Sequence, residues 1–186
     1  MTTISGIIYA VDNVLIPPFS TLDTLMMIPE HFSTFTSGLL RAEKVRKELS
    51  EGTGITFFVP SNHAWRSLGM TNLLHLFSPS GKKNLEKILA YHVGVELAYM
   101  ADIKKHRQLK IKTLEGSELR VSIKSHHHSK HEDAKHHQGG HAHIYVNGES
   151  RVVFPDFPTE NGAMHVINEV LVPDDVELPE PVAFSE

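Results

Sequence analysis

Apolar residues in the first half of the chain recur at helical spacing. The longest series predicts one amphipathic helix that stops at the glycine turn of residues 52–54. The apolar positions of this helix are Phe32, Phe35, Leu39, Ala42, Val45 and Leu49. A later helix is predicted with one shared face that consists of Leu85, Ile88, Leu89 and His92.

Two serines occupy positions typical of helix N-caps. Ser20 and Asp23 have the spacing of a capping box, with aspartate where glutamate is usual, and a short apolar helix follows them. A β-rich run at 55–59 ends at Pro60, and Ser61 then precedes a helical segment that carries Trp65. The sequence therefore predicts a strand between two capped helices.

The second half of the chain changes to short alternating segments, which are typical of hairpin strands. Turns that contain glycine, such as 115–116 and 147–148, separate these segments. The predicted strands span 109–113, 118–124, 142–147 and 152–154. Several prolines punctuate the remainder, and the last ten or so residues are predicted to be an exposed tail.

Composition limits the class of protein. The 186 residues are 40% hydrophobic, which is enough for one core, and the net charge of -4 lacks the basic footprint of a nucleic-acid binder. The absence of cysteine excludes disulfides, thiolate metal sites and cysteine nucleophiles. No apolar run is long enough to cross a bilayer, so any membrane anchor would lie outside this chain.

An internal repeat indicates how the chain is organised. Residues 6–17 align without a gap to residues 162–173, and Gly, Val, Leu and Pro coincide at four positions. We interpret both copies as strands that close two successive units. The predicted organisation is a closing strand at 1–18, a complete domain at 19–175 with an insert at about 125–143, and a tail at 176–186.

Three motifs in order resemble the fasciclin-like domain of cell-surface and matrix proteins. They are the run at 56–65, the pair Tyr91-His92, and the segment at 161–168 with the Val-Leu-Val-Pro that follows it. The resemblance implies an α+β fold, a β-sandwich or wedge of about seven strands packed with several α-helices. It also implies tandem repeats, and adhesion or binding without catalysis.

Phe57, Val59 and Trp65 are interpreted as core residues, because alternating and helical apolar positions bury surface.

The histidines of the motifs have two interpretations. Tyr91, His92 and His165 can satisfy their polar atoms by hydrogen bonds inside a core. The resemblance also associates the surroundings of the tyrosine-histidine pair with integrin binding. Tyr91 and His92 are therefore candidate partner-binding residues.

A second interaction motif of the family, aspartate followed by isoleucine, aligns with Asp156-Phe157. Phenylalanine replaces the isoleucine here, so the pair is a candidate partner site that keeps half of the motif. The alternative is a loop bounded by proline with an exposed acid.

Histidine is the abnormal residue of this chain, with eight of the 14 between positions 126 and 143. Imidazole binds zinc, copper and nickel. On strands, His126 with His128 and His141 with His143 form two clamps that converge if the flanking strands keep pairing. A solvated segment that binds nothing specific is the alternative. A zinc-protease motif is excluded, because the histidine after His131 follows five positions later and not four.

The same histidines predict a response to acid. Protonation of all 14 would change the net charge from -4 to +10. The resulting basic patch would favour contact with an anionic membrane or a glycan.

The sequence favours a non-catalytic adhesion or interaction module of a tandem-repeat protein that binds protein or glycan and needs no cofactor. Its compartment is a cell surface, a matrix, or a secretory or vacuolar lumen. One alternative is a metal-binding or pH-responsive domain that acts through the histidine segment. Another is a lumenal factor that tethers or fuses membranes in the vacuolar pathway. A hydrolase is disfavoured, because no nucleophile elbow, phosphate loop or carboxylate pair is present.

Overall fold

The computed structural model describes residues 10, 12, 17–125 and 142–179. Most of the predicted closing strand at 1–18 and most of the histidine segment lie outside these residues. The helices of the described part are α1 (Thr21–Met27), α2 (Pro29–Arg41), α3 (Glu43–Glu51), α4 (Asn62–Ser67), α5 (Met70–Leu76), α6 (Lys82–Tyr91) and α7 (Met100–His106). The strands are β1 (Ile55–Pro60), β2 (Val93–Gly94), β3 (Gln108–Lys112), β4 (Glu118–Ser125), β5 (Ala142–Val146), β6 (Ser150–Thr159) and β7 (Gly162–Ile167).

Both predicted serine caps are present. The Ser20 Oγ accepts a hydrogen bond from the Asp23 N–H at 3.1 Å and so begins α1. The Ser61 Oγ accepts one from the Ala64 N–H at 3.2 Å and begins α4. Each bond satisfies a backbone donor that has no partner within its helix.

The helix predicted across 32–49 is in fact two helices. Ala42 separates α2 from α3, because its ψ angle of 79° leaves the helical range. Ala42 is itself fully buried. The break therefore changes the direction of the chain while both helices keep their apolar faces on the same core.

The seven strands form one sheet in the order β2-β1-β7-β6-β5-β4-β3. β1 and β7 run parallel, and the other neighbours run antiparallel. A bridge between Gly94 and Thr113 joins the two ends of the sheet, which is thus nearly closed into a barrel. The predicted α+β class with seven strands and several helices is confirmed.

Two hydrophobic clusters lie on opposite faces of β1. Phe57 and Val59 face the helices and pack in one cluster with Trp65, whereas Phe58 belongs to the second cluster with residues of β3, β4 and β5. All four side chains are 0% exposed, so the predicted core residues are confirmed. A strand that is buried on both faces reads as a continuous apolar run, as this one does.

β6 is longer than the sequence predicted, because it continues through Pro155 and Pro158. β5 pairs with β6 only at Ser150 and Arg151, so within the described part of the chain the rest of β6 has β7 as its one neighbour. Proline is tolerated where a strand has no neighbour on one side, because the N–H that it lacks would have no partner strand there.

Residues beyond β7 return to the core. Val176 is 7% exposed, and Leu178 packs against the cluster next to the helices. The sequence had suggested an exposed tail from residue 176, but Val176 and Leu178 are part of the fold. None of the described helices combines the length and apolar character needed to cross a bilayer.

Candidate interaction site

His92 is buried at the end of α6, and both of its ring nitrogens are engaged. Its Nδ1 donates to the Ile88 carbonyl oxygen at 2.7 Å, and its Nε2 accepts from the Leu171 N–H at 3.0 Å. One neutral tautomer satisfies both bonds. Burial lowers the pKa of His92 to about 4, against the opposing effect of the bond to Ile88. The ring holds α6 to the chain after β7 and is 0% exposed, so a partner cannot touch it, whereas 7% of Tyr91 is exposed.

The turn between β5 and β6 holds the Tyr91 hydroxyl in place. The Asn147 side-chain amide donates to the Tyr91 hydroxyl at 2.9 Å, and the Asn147 Oδ1 accepts from the Arg120 N–H at 2.9 Å. Asn147 has a φ of 53°, a left-handed conformation that asparagine adopts more readily than most residues. Burial raises the pKa of Tyr91, so its hydroxyl stays protonated at neutral pH.

The side chains around Tyr91 line a polar cavity of about 380 Å³, the Tyr91 pocket. Its lining residues are Tyr91, Lys110, Glu118, Arg120, Asn147, Glu149, Val172 and Asp174. Lys110 and Glu118 neutralise each other across 3.2 Å. Within the described part of the chain, the side chains of Arg120, Glu149 and Asp174 form no ion pair. The pocket therefore presents charges of both signs that form no ion pair with other described residues.

Asp156 has a structural role inside the sheet. Its N–H donates to the His165 Nδ1 at 3.1 Å, and its Oδ1 accepts from the Met100 N–H at 2.7 Å, at the start of α7. The His165 Nε2 donates to the Ala98 carbonyl oxygen at 2.8 Å, which again requires one neutral tautomer. Burial lowers the pKa of His165, whereas the bond to Ala98 and the charge of Asp156 oppose the shift. The internal hydrogen bonds predicted for His165 are thus confirmed.

Phe157 points to the same side of the sheet as Phe154, although three positions separate them. In a regular strand, residues three apart face opposite ways. Register shifts occur before and after Phe154, so that it pairs with Val166 and Phe157 pairs with Met164. These two bulges turn both phenylalanines toward α2. Their ring centroids lie 6.2 Å apart.

The two phenylalanines line a second cavity of about 380 Å³, the Phe154 groove. Other apolar walls come from Ile28 and Phe32 at the start of α2 and from Met164 and Val166 on β7. Asp156 and Phe157 are adjacent in sequence, but the structure gives them different tasks, one in the His165 network and one in this groove. Neither of them is among the residues that line the Tyr91 pocket.

Of the four predicted metal ligands, only His143 lies within the described residues, on β5 opposite Lys124. His126, His128 and His141 fall outside them. The described ranges contain no group of three or more His, Cys, Asp or Glu side chains arranged to hold a metal ion. The metal site stays a prediction.

Sequence reasoning missed Asn147, Arg120 and Phe154 as site residues. Asn147 carried a signal, since asparagine before glycine marks a tight turn with positive φ. Arg120 carried none, because an exposed cation on a strand looks the same with or without a nearby tyrosine. Phe154 was placed on a strand, but its direction depends on bulges that the sequence pattern does not reveal.

Comparison with known proteins identifies similar sequences and one similar fold. A sequence model described as the fasciclin domain matches residues 30–173. The chain is 29% identical over 168 residues to transforming growth factor-beta-induced protein ig-h3 of Sus scrofa, across 90% of this chain and 21% of that protein. It is also 29% identical over 144 residues to protein sll1483 of Synechocystis sp., across 77% and 68%.

The solved structure of a FAS1 domain pair from the insect cell adhesion molecule Fasciclin I matches with a TM-score of 0.54 and 18% identity. The match covers 83% of this chain and 46% of that one, and it concerns the fold. The chain spans only about a fifth of the length of ig-h3.

Proposed function

Because the chain belongs to the fasciclin domain family, we propose that it is a non-catalytic adhesion or interaction module that binds a protein partner through the Tyr91 pocket. Its compartment is extracellular, at a cell surface, or within a secretory or vacuolar lumen. The fold is shared with a cell adhesion molecule, which supports this class of function.

The observation that carries the proposal is the set of unneutralised charges around Tyr91. Tyrosine and arginine are enriched at the centres of protein interfaces, where they contribute most of the binding energy. Arg120 lines the same cavity as Tyr91, whose hydroxyl Asn147 holds in place. A partner with charges of both signs would pair with Arg120 on one side and with Glu149 and Asp174 on the other.

The first test is cell adhesion to a surface coated with the chain, with Arg120→Ala as the variant. Loss of a central arginine contact is expected to raise the coating density for half-maximal adhesion about tenfold. Arg66→Ala is the matched control, since Arg66 is likewise exposed and forms no ion pair within the described residues. Equal adhesion for the two variants would contradict the assignment of the pocket, and no adhesion at any density would contradict the function.

We also propose a second function, metal binding by the histidine segment, because the register of the flanking strands favours it. β4 and β5 pair up to Ser125 with Ala142, and Lys124 pairs with His143. Continuation of this register by one residue would place His126 opposite His141. On the same face, His128 would then lie diagonally from His141, and His143 would lie diagonally from His126.

Calorimetric titration with zinc tests this second function. Wild type is expected to bind with a defined stoichiometry, and substitution of His126, His128, His141 and His143 by alanine is expected to abolish it. The matched control replaces the same number of histidines elsewhere in the segment, at His127, His131, His136 and His137. If both variants lose zinc binding to the same extent, affinity depends on how many histidines are present and not on where they lie along the strands. The proposal of a convergent site is then wrong.

The acid-dependent membrane contact and the vacuolar tethering role stay predictions from sequence. The first depends mainly on histidines outside the described ranges.

A further inference from the structure

The Phe154 groove is open to solvent and is not used by the proposed adhesion function. Phe154 is 56% exposed and its neighbour Val153 is 44% exposed, so the mouth of the groove has apolar walls in water. Apolar surface that stays exposed in a concave site marks a place where a ligand gains by burial. The two bulges in β6 produce this arrangement, since a regular strand would turn Phe154 to the other face of the sheet.

The lining of the groove indicates the charge of its ligand. Its only lining side chains with polar atoms are those of His31 and Ser61. No carboxylate, lysine or arginine lines it. An ion that entered would lose hydration and would meet no carboxylate, lysine or arginine among the lining residues. A neutral ligand does not incur this cost.

Ser61 supplies the one oriented polar contact. Its Oγ accepts from the Ala64 N–H, so the helix cap already uses the hydroxyl as an acceptor. The hydroxyl hydrogen remains available, because within the described residues Ser61 donates no hydrogen bond from its side chain. A ligand that carries a hydrogen-bond acceptor could accept this hydrogen from the Ser61 hydroxyl.

We propose that the Phe154 groove binds a neutral, mainly apolar small molecule that carries one hydrogen-bond acceptor. The cavity of about 380 Å³ lies within the range of roughly 300–1,000 Å³ that is usual for sites of small molecules. Neither a charged lipid headgroup nor a basic or acidic peptide finds a counter-ion among its lining residues. This inference is independent of the proposed adhesion function, because the two cavities share no lining residue.

Fluorescence titration of the full chain with prodan tests the proposal. Prodan is neutral and apolar, its carbonyl is an acceptor, and its emission shifts to the blue in apolar surroundings. Saturable binding to one site is expected, and the anionic dye anilinonaphthalene sulfonate is expected to bind about tenfold more weakly or worse, because its charge lacks a partner. Equal affinity for the two dyes would overturn the neutral class.

Two variants test the residues. Phe154→Ala removes half-exposed apolar surface and is expected to lower the affinity for prodan about tenfold. Its matched control is Leu74→Ala, which truncates an apolar side chain that is 67% exposed on α5. Ser61→Asp keeps an acceptor for the helix cap but removes the donor and adds a charge, so it is expected to weaken prodan at least as much while the helix stays capped.

Methyl spectra of methionine locate the bound dye. Met164 lines the groove, whereas Met70 lies 68% exposed on α5. Prodan is expected to shift the Met164 methyl signal, assigned with Met164→Leu, and to leave that of Met70 unchanged. A shift at Met70 alone, or prodan affinity that Phe154→Ala does not change, would overturn the proposal. If sedimentation shows that the wild type is a dimer and that Phe154→Ala is a monomer, the groove binds a second copy of the chain instead.

Discussion

Acidification from about pH 7 to about pH 5 is expected to lower the free energy of unfolding by about 2 kcal/mol through His92. The folded chain keeps this histidine neutral, because burial lowers its pKa from 6.5 to about 4. Protonation of the Nε2 would break its hydrogen bond from the Leu171 N–H, whereas the Nδ1 would still donate to the Ile88 carbonyl oxygen. Denaturation by urea at a series of pH values measures the effect.

The sign follows from the two states. Above pH 6.5 neither state is protonated at His92, so stability is at its full value. Below it the unfolded chain binds a proton that the folded chain does not, and stability falls until the pH approaches the folded pKa of about 4. His165 adds to the same loss, because burial lowers its pKa too.

The control for the pH effect is a histidine outside the core. His92→Gln keeps a donor and an acceptor but cannot titrate, so it is expected to flatten the dependence on pH even if it lowers stability at neutral pH. His63→Gln changes an exposed residue of α4 and should keep the wild-type dependence. If His92→Gln retains the full slope, the acid sensitivity arises elsewhere.

Gly162→Ala is expected to reduce the free energy of unfolding by about 3 kcal/mol or more. Gly162 begins β7 and pairs with Ile55 at the start of β1. A Cβ at this position would lie 1.9 Å from the Ile55 carbonyl oxygen. Because the obstacle is backbone, no change of rotamer relieves the clash, and β1 and β7 must separate.

The matched control is Gly38→Ala in α2. A Cβ there would first meet a methyl group of Leu89 at 3.2 Å, which a side chain can move to accommodate. The higher helix propensity of alanine, about 1 kcal/mol, offsets this crowding. A stability change of the same size in both variants would show that the close approach of β1 and β7 is not what requires glycine.

Local patterns were sufficient for most elements. The β-rich run at 55–59, the helical face of Leu85 to His92 and the two serine caps depend on neighbours within a few residues, and all are present. The division at Ala42 was not predictable from the same pattern, because the apolar spacing continues through it without interruption. The length of β6 was underestimated, since its prolines suggest an end unless the open side of the strand is known.

The candidate sites show a similar division. Sequence alone indicated that His92 and His165 would find hydrogen bonds inside the core, because a buried neutral imidazole needs them. It did not identify Leu171 or Ala98, which lie 79 and 67 positions away along the chain. Tyr91 was identified as a candidate, but its pocket consists of side chains from β3, β4 and two later turns.

The sequence by itself determined the class of fold, the family resemblance, the core of β1 and α4, and the unusual histidine segment, because each of these depends on residue types at short and regular spacing. Only the tertiary structure decided that Asp156 serves the His165 network, that Arg120 adjoins Tyr91, and that Phe154 and Phe157 face one groove. The physical reason is that a bulge or a long-range hydrogen bond depends on which backbone lies opposite, and the pattern within one strand does not contain that information.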